Sequence, residues 1–234
     1  MTGGEQAKDQ INDQASDLSD GLTWQNGIIP ISNRFDDPYF SMQGGLSETQ
    51  HVFLAGNDLP ARLRPGFHIA ELGFGTGLNL LATRLICPPD TRITYTSFEA
   101  YPLSAPTIAR ALMAFPQVHA VAQSFLTAWG NGLTRFDLGQ IAVQVILGDA
   151  RETLPNWDGL ADAWFLDGFS PAKNPELWAA DLLKSVAGHT ARGGTFATYT
   201  AAGHVRRSLS DAGFDVIRCA GYGRKRHMTK GKLI

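Results

Sequence analysis

FHIAELGFGTGLNLLATRL, from Phe67 to Leu85, changes its periodicity twice within one short stretch. The apolar run Phe67-His68-Ile69-Ala70, ending in Glu71 and Leu72, suits a buried strand. Glycines follow at alternate positions, Gly73, Gly75 and Gly77. Leu78, Leu81, Ala82 and Leu85 then recur at helical spacing. Strand, tight glycine turn and amphipathic helix are therefore expected in that order. Glycine permits positive φ and close approach of a ligand to the backbone, and the new helix starts with free N–H groups. A ligand with polar atoms is expected across this turn, against the plainer reading of a tight strand–helix connection.

Two details narrow the ligand. A dinucleotide fingerprint, G-x-G-x-x-G, would need its last glycine at position 78, which is Leu78. The third glycine comes one residue early, and Glu71 stands two before the first. This E-x-G-x-G-x-G pattern resembles the cofactor loop of the S-adenosylmethionine-dependent methyltransferases. Their cofactor has no pyrophosphate, but it carries a cationic amine that a carboxylate such as Glu71 can help hold.

The chain of 234 residues can bury a full core and suits one α/β domain. A formal charge of −2 excludes a generally cationic surface, so nucleic-acid contact requires a local basic patch. Cys87 and Cys219 form no C-x-x-C pair, which argues against a zinc site or disulfide scaffold and suits a reducing cytosol. No metal site and no membrane span are expected. Residues 1–21 are polar and acidic without an apolar centre, and are expected to form a disordered tail rather than a signal peptide. Residues 22–234 are expected to form the domain, opening with a hairpin at Gln25-Asn26-Gly27 and a helix from Leu46 to Leu54.

Further along, Arg92 to Phe98 alternates as a strand and ends at Glu99, about twenty residues after the glycines, where a doubly wound sheet places a ribose-binding carboxylate. An ordinary strand-end acid is the alternative. Leu133 to Asp137 and Ile141 to Leu147 read as strands, with a possible hairpin through Gly139. Asp149 then precedes a short helical turn. It can cap that turn, bond the exocyclic amine of adenine, or do both. Ala161 to Leu166 is a buried strand running into Asp167-Gly168-Phe169-Ser170-Pro171-Ala172-Lys173-Asn174-Pro175-Glu176-Leu177-Trp178, too proline-rich for a generic linker. Asp167 thus stands at a strand's carboxyl end, where ligands of open α/β sheets bind. A helix over Leu177 to Val186 is expected next, and Gly193-Gly194 should turn the chain into a strand over Thr195 to Thr200. The end, GYGRKRHMTKGKLI, concentrates Arg224, Lys225, Arg226, Lys230 and Lys232. It reads either as a solvated end or as a hairpin holding RNA phosphates.

Taken together, FDDPYFS (Phe35–Ser41), ETQHVFLAGN (Glu48–Asn57), ELGFGTGLN (Glu71–Asn79), LDGFSPAKNPELW (Leu166–Trp178), AAGHVRRSLSDAGF (Ala201–Phe214) and GYGRKRHM (Gly221–Met228) closely resemble the methyltransferase half of the bifunctional tRNA 5-methylaminomethyl-2-thiouridine biosynthesis family. The resemblance runs from about Leu22 to the end. It implies a Rossmann-like class I α/β fold with a mostly parallel, seven-stranded sheet flanked by helices. It also implies N-methylation of 5-aminomethyl-2-thiouridine at the tRNA wobble position, with S-adenosylmethionine as cofactor. Glu71, Gly73, Gly75, Gly77, Asn79, Glu99, Asp149 and Ala150 would bind that cofactor. Asp167 would be catalytic. Asp37, Tyr39, Phe169, Lys173, Asn174, Tyr222, Arg224, Lys225 and Arg226 would meet the tRNA, with Phe169 stacking on the extruded base. The family's FAD-dependent oxidoreductase half has no counterpart in these residues, which suits either a stand-alone form with a separate oxidoreductase acting upstream or a fragment of a longer chain; FAD is not assigned. A same-fold methyltransferase of a small-molecule or protein amine, and a non-catalytic cofactor or tRNA binder, are the alternative readings.

Overall fold

The computed structural model describes residues 20–41 and 44–234. The expected tail therefore lies outside the described residues except for Asp20 and Gly21. Asp20 accepts hydrogen bonds from the backbone and hydroxyl of Ser104, at 3.1 and 2.8 Å.

β1 (Leu22–Gln25) and β2 (Ile29–Ser32) form the expected hairpin, and the two-residue β3 (Asp37–Pro38) adds to it. Asn26 and Gly27 supply the positive φ angles, 55° and 77°, that such a turn needs. Helix α1 (Gly45–Thr49) continues through a π-helical turn, Gln50–Leu54, and a 3₁₀ turn, Ala55–Asn57. Then come β4 (His68–Leu72), α2 (Leu78–Ile86), β5 (Ile93–Glu99), α3 (Ala105–Leu112), α4 (His119–Gly130), β6 (Arg135–Leu138), β7 (Ile141–Leu147) and α5 (Ala150–Thr153). The chain closes with β8 (Ala161–Leu166), α6 (Ala180–Gly188), β9 (Thr190–Thr198), α7 (Gly203–Asp211), β10 (Phe214–Ala220) and β11 (His227–Leu233).

The central sheet runs β10-β11-β9-β8-β4-β5-β7-β6, with the pairs from β9 to β7 parallel. Strands covered on both faces should be apolar throughout, and β8 is: Ala163, Trp164, Phe165 and Leu166 are wholly buried. One core packs α1 to α4 on one face of the sheet; a second packs α6 and α7 on the other. Strand order reverses at β4, whose neighbours are β5 and β8. The crevice above that reversal is where an open α/β sheet binds its ligand.

Three expectations need correction. The sheet has eight strands, not seven, because β6 pairs antiparallel at one edge while β11 inserts antiparallel between β9 and β10. Of the basic C-terminal residues, Lys230 and Lys232 lie on β11, which pairs antiparallel with β10, whereas Arg224, Lys225 and Arg226 are exposed in the connection between the two strands. Met228 and Thr229 are buried, and Thr229 donates to the Thr200 carbonyl at 2.7 Å. Gly193-Gly194 does not turn the chain into a strand but lies inside β9, where the register against β8 shifts between Ala161 and Ala163. Gly193, at φ 74°, absorbs the irregularity. The helix expected from Leu177 begins only at Ala180, because Pro175–Trp178 makes a 3₁₀ turn and Ala179 is extended.

Candidate active site

The carboxyl ends of β4, β5, β7 and β8 open into one cavity of about 580 Å³, within the range of small-molecule sites. Its floor is the glycine turn. Gly73, at φ 80°, packs so closely that a Cβ there would lie 3.1–3.2 Å from backbone atoms of Asp167 and Gly168. Gly75, at φ 53°, donates its N–H to Glu99 Oε2 at 2.9 Å, and Tyr101 donates its N–H to Glu99 Oε1 at 2.7 Å. These bonds, with the backbone N–H groups of Phe74 and Ala100 close by, fix the Glu99 carboxylate at the cavity wall. Burial raises its pKa, against the backbone bonds that lower it. Glycine backbone with no side chains in the way, a strand-end carboxylate and an aromatic wall suit a nucleoside with a polar tail.

Asp149 caps α5, accepting from Arg151 N at 2.9 Å, and its carboxylate also takes the Arg151 guanidinium, with Nε 3.0 Å from each oxygen. Arg151 holds the Asp149 pKa below its usual value. The capping role is thus realised, and a base amine reaching Asp149 would share it with Arg151. Ala150 lines the cavity beside it.

At the other end stands Asp167. Its carboxylate accepts from Gly168 N at 2.8 Å and from Asn79 Nδ2 at 2.8 Å. Burial pushes its pKa up to about 6, with the Glu48 charge in the same direction and the Lys225 charge opposing. Asn79 Nδ2 also donates to Glu71 Oε1 at 2.9 Å, and Thr49 Oγ1 donates to Asn79 Oδ1 at 2.8 Å. Ser97 Oγ donates to Glu71 Oε2 at 2.7 Å. Glu71 is wholly buried, its pKa is raised well above the ordinary carboxyl value by burial, and it does not line the cavity. It stands behind Asn79, to which it is hydrogen-bonded.

The loop Arg34–Phe40 lies over the cavity and docks on the Asp167–Trp178 loop. Asp37 Oδ2 accepts from Ser170 N at 2.8 Å, and Lys173 pairs with Asp36 at 2.9 Å. Phe169 stacks on Phe35 at 4.6 Å between ring centroids, and Tyr39 meets it edge-on at 5.0 Å. One face of Phe169 is thus already covered. Tyr39 lies against Gly75, and burial together with Glu99 raises its hydroxyl pKa. Trp178 and Tyr199 hold the second loop, donating to the carbonyls of Phe169 and Gly168 at 2.9 and 2.8 Å.

Of the residues singled out in the sequence, Gly73, Gly75, Asn79, Glu99, Asp149, Ala150, Asp167, Asp37, Tyr39, Phe169, Asn174, Tyr222, Arg224 and Lys225 line this cavity. Glu71, Gly77, Lys173 and Arg226 do not. Gly77 begins α2 at φ 72°, packed against Phe125. Lys173 and Arg226 are exposed. Lys225, read as a phosphate contact, pairs with Glu48 Oε1 at 2.8 Å and lies 4.1 Å over the Tyr199 ring, with its side chain 44% exposed. The sequence reading missed Glu48, Thr49, Ser97, Tyr199, Phe35 and Arg151. A small polar residue such as Ser97, buried in an apolar strand, was the available signal. Among the described residues no group of three or more His, Cys, Asp or Glu is placed to hold a metal ion, and no helix is long and apolar enough to cross a membrane.

The comparisons with known proteins agree with this geometry. Residues 116–234, just over half the chain, match the family described as S-adenosyl-L-methionine-dependent methyltransferase. The chain is 44% identical over 224 residues to the tRNA 5-methylaminomethyl-2-thiouridine biosynthesis bifunctional protein MnmC of Leptospira borgpetersenii, covering 90% of this chain and 34% of that protein. The Caulobacter vibrioides protein of that name is 45% identical over 216 residues, covering 88% and 36%. The chain thus spans about a third of the length of these relatives. The crystal structure of MNMC2 from Aquifex aeolicus superposes with a TM-score of 0.73 at 28% identity, covering 88% of this chain and 67% of that one. The chain belongs to the S-adenosyl-L-methionine-dependent methyltransferase family.

Proposed function

We propose that this chain, through residues 22–234, methylates the exocyclic amine of 5-aminomethyl-2-thiouridine at the tRNA wobble position, giving the 5-methylaminomethyl nucleoside. The observation that carries this reading is the placement of Asp167 in one cavity with the Gly73 turn and Glu99, in a chain that is 44% identical over 224 residues to a relative named for that nucleoside's biosynthesis. When bound, S-adenosylmethionine supplies a sulfonium methyl group that accepts the electron pair of an amine nitrogen. Gly73 and Gly75 leave room for the cofactor's amino acid end, Glu99 accepts its ribose hydroxyls, and Asp149 with Ala150 borders its adenine. Asn79 orients Asp167.

Asp167 holds the acceptor amine and takes its proton. A free alkylamine like that of lysine, with a pKa of about 10.4, is mostly protonated at neutral pH and must lose that proton to attack. A carboxylate with its pKa raised to about 6 is a better acceptor than an ordinary aspartate, because proton transfer is most efficient when the base is matched to working pH. Alignment of amine and methyl group supplies most of the acceleration. The open face of Phe169, with Asn174 and Tyr222, receives the base. Lys173, Arg224 and Arg226 contact the anticodon-loop backbone, so binding should weaken with salt. Such a substrate places the protein in the cytoplasm, downstream of an oxidoreductase that exposes the aminomethyl group.

The test is transfer of labelled methyl to two tRNA preparations, one carrying aminomethyluridine at the wobble base and one its unmodified parent. Label on the first alone supports the assignment. Label on both moves the target elsewhere in the RNA. Label on neither, with cofactor binding intact, overturns the tRNA reading in favour of a small-molecule or protein amine.

A further inference from the structure

Lys225, in the basic loop, has a side chain that is still 44% exposed, yet its ammonium is directed at an acid of the cavity wall. It sits in the connection between β10 and β11, beside the exposed Arg224 and Arg226. Its ammonium is 2.8 Å from Glu48 Oε1 and lies 4.1 Å over the Tyr199 ring. Lys225, Glu48 and Tyr199 all line the cavity that holds Asp167. The Glu48 side chain is only 10% exposed. Its neighbour Thr49 donates to Asn79, and Asn79 donates to Asp167, each at 2.8 Å, so hydrogen bonds link the turn carrying Glu48 to the carboxylate.

Charge at this end of the cavity then has a definite balance. Glu48 and Asp167 are carboxylates. Asp37 is engaged by Ser170 N–H at 2.8 Å, and the Tyr199 hydroxyl donates to the Gly168 carbonyl at 2.8 Å. Tyr222 and Arg224 complete the wall. Two uncompensated carboxylates would hold an entering amine as its ammonium, which has no lone pair with which to attack. Lys225 neutralises Glu48, and the field of its ammonium opposes that of the remaining carboxylate. Like charges nearby disfavour the protonated form of an amine, a device known from activated lysine nucleophiles.

We propose that Lys225, fixed by Glu48 and the face of Tyr199, is a positioning residue that keeps the acceptor amine of the substrate in its uncharged, nucleophilic form. This rests on the amine acceptor proposed above. The ammonium's proton passes to the Asp167 carboxylate, which becomes a carboxylic acid, while Lys225 keeps its own proton. Glu48 secures Lys225 against the RNA phosphates that would otherwise draw it outward.

The test is the pH dependence of single-turnover methyl transfer to tRNA carrying aminomethyluridine. Lys225→Ala is expected to slow transfer about tenfold at neutral pH and to displace the rising limb about one unit to higher pH, with the wild-type rate regained at high pH. Lys225→Arg retains the charge and keeps the limb in place. Because Lys225→Ala leaves Glu48 buried and unpaired, the pair Glu48→Gln and Glu48→Gln/Lys225→Ala repeats the comparison without that strain, and the second variant's limb should again lie higher. A Lys225→Ala rate lowered by one factor at every pH, or a raised KM for tRNA with the limb unmoved, overturns the inference and makes Lys225 an RNA or structural contact. A wild-type protein that transfers no methyl at any pH instead overturns the proposed function, and this inference with it.

Discussion

Asn79 Nδ2 donates to Asp167 Oδ2 at 2.8 Å, tying the first turn of α2 to the end of β8. The same amide group donates to Glu71 at 2.9 Å and its oxygen accepts from Thr49. Its hydrogen-bonding capacity is therefore spent on holding two carboxylates apart and aligned. Asn79→Ala removes the donor that opposes the effect of burial on Asp167, so the carboxylate's pKa should rise beyond about 6. Turnover is expected to fall about 10- to 100-fold through lost alignment. The acidic limb of the pH–rate profile should move upward. A limb that stays in place would show that Asn79 does not act through Asp167.

Asp167→Asn should abolish most turnover while changing cofactor affinity little. Its effect on stability has a definite sign. The folded pKa, about 6, lies above the ordinary 3.8, so the folded protein binds more protons than the unfolded chain between those values. The wild-type side chain therefore stabilises the fold increasingly as pH falls through that window, and it is a liability above it. The substituted amide has no charge to desolvate, so the variant should be more stable at pH 7–8, by about 1–2 kcal/mol after allowing for screening in an open cavity. The difference should vanish below about pH 4. Chemical denaturation at both pH values decides this, and equal losses of turnover and cofactor affinity would make Asp167 a cofactor ligand.

Much of this site was legible in the sequence because it depends on local chemistry. Three alternating glycines after a strand, with φ of 80°, 53° and 72° in the structure, can only be a tight turn. Glu99 and Asp167 are legible as strand-end acids because parallel strands deliver their carboxyl ends to one edge. What was not legible depends on distance. Nothing near Lys225 in sequence shows that it meets Glu48, or that Phe35 covers a face of Phe169. That Glu71 does not line the cavity has the same origin. Its position two before Gly73 fits a ligand-facing acid, but strand alternation and a donor from Ser97 on the neighbouring β5 turn it into the interior.

Gly73 tests the floor of the cavity. Alanine there would adopt φ near 80° and place its Cβ 3.1–3.2 Å from the backbone of Asp167 and Gly168. Backbone cannot yield as a flexible side chain does, so Gly73→Ala should cost about 1–3 kcal/mol of stability and displace Asp167. Calorimetry should show weakened cofactor binding, and thermal unfolding without cofactor should show the strain. Gly66, at φ 79° with nothing within 4 Å, is the control for strain without crowding.

Glu71 separates the two roles that its position allows. It is wholly buried, and burial raises its pKa well above the ordinary carboxyl value, which favours the protonated form. Glutamine has the same shape. Its carbonyl can accept from Asn79, and the Ser97 hydroxyl, a free rotor, can turn to accept from its amide. Because the folded pKa is raised, the glutamate's contribution to stability is present at low pH and is lost as pH rises through that value. Glu71→Gln should therefore leave cofactor affinity within about threefold and gain stability over the wild type toward alkaline pH. Glu71→Ala, which leaves a cavity and strands the donors of Ser97 and Asn79, should cost about 2–4 kcal/mol. Titration calorimetry with S-adenosylmethionine decides between the roles. A tenfold or greater loss of affinity in Glu71→Gln, with stability unchanged, would mean that the carboxylate holds the cofactor's amine directly, and that Asn79 moves aside to let it.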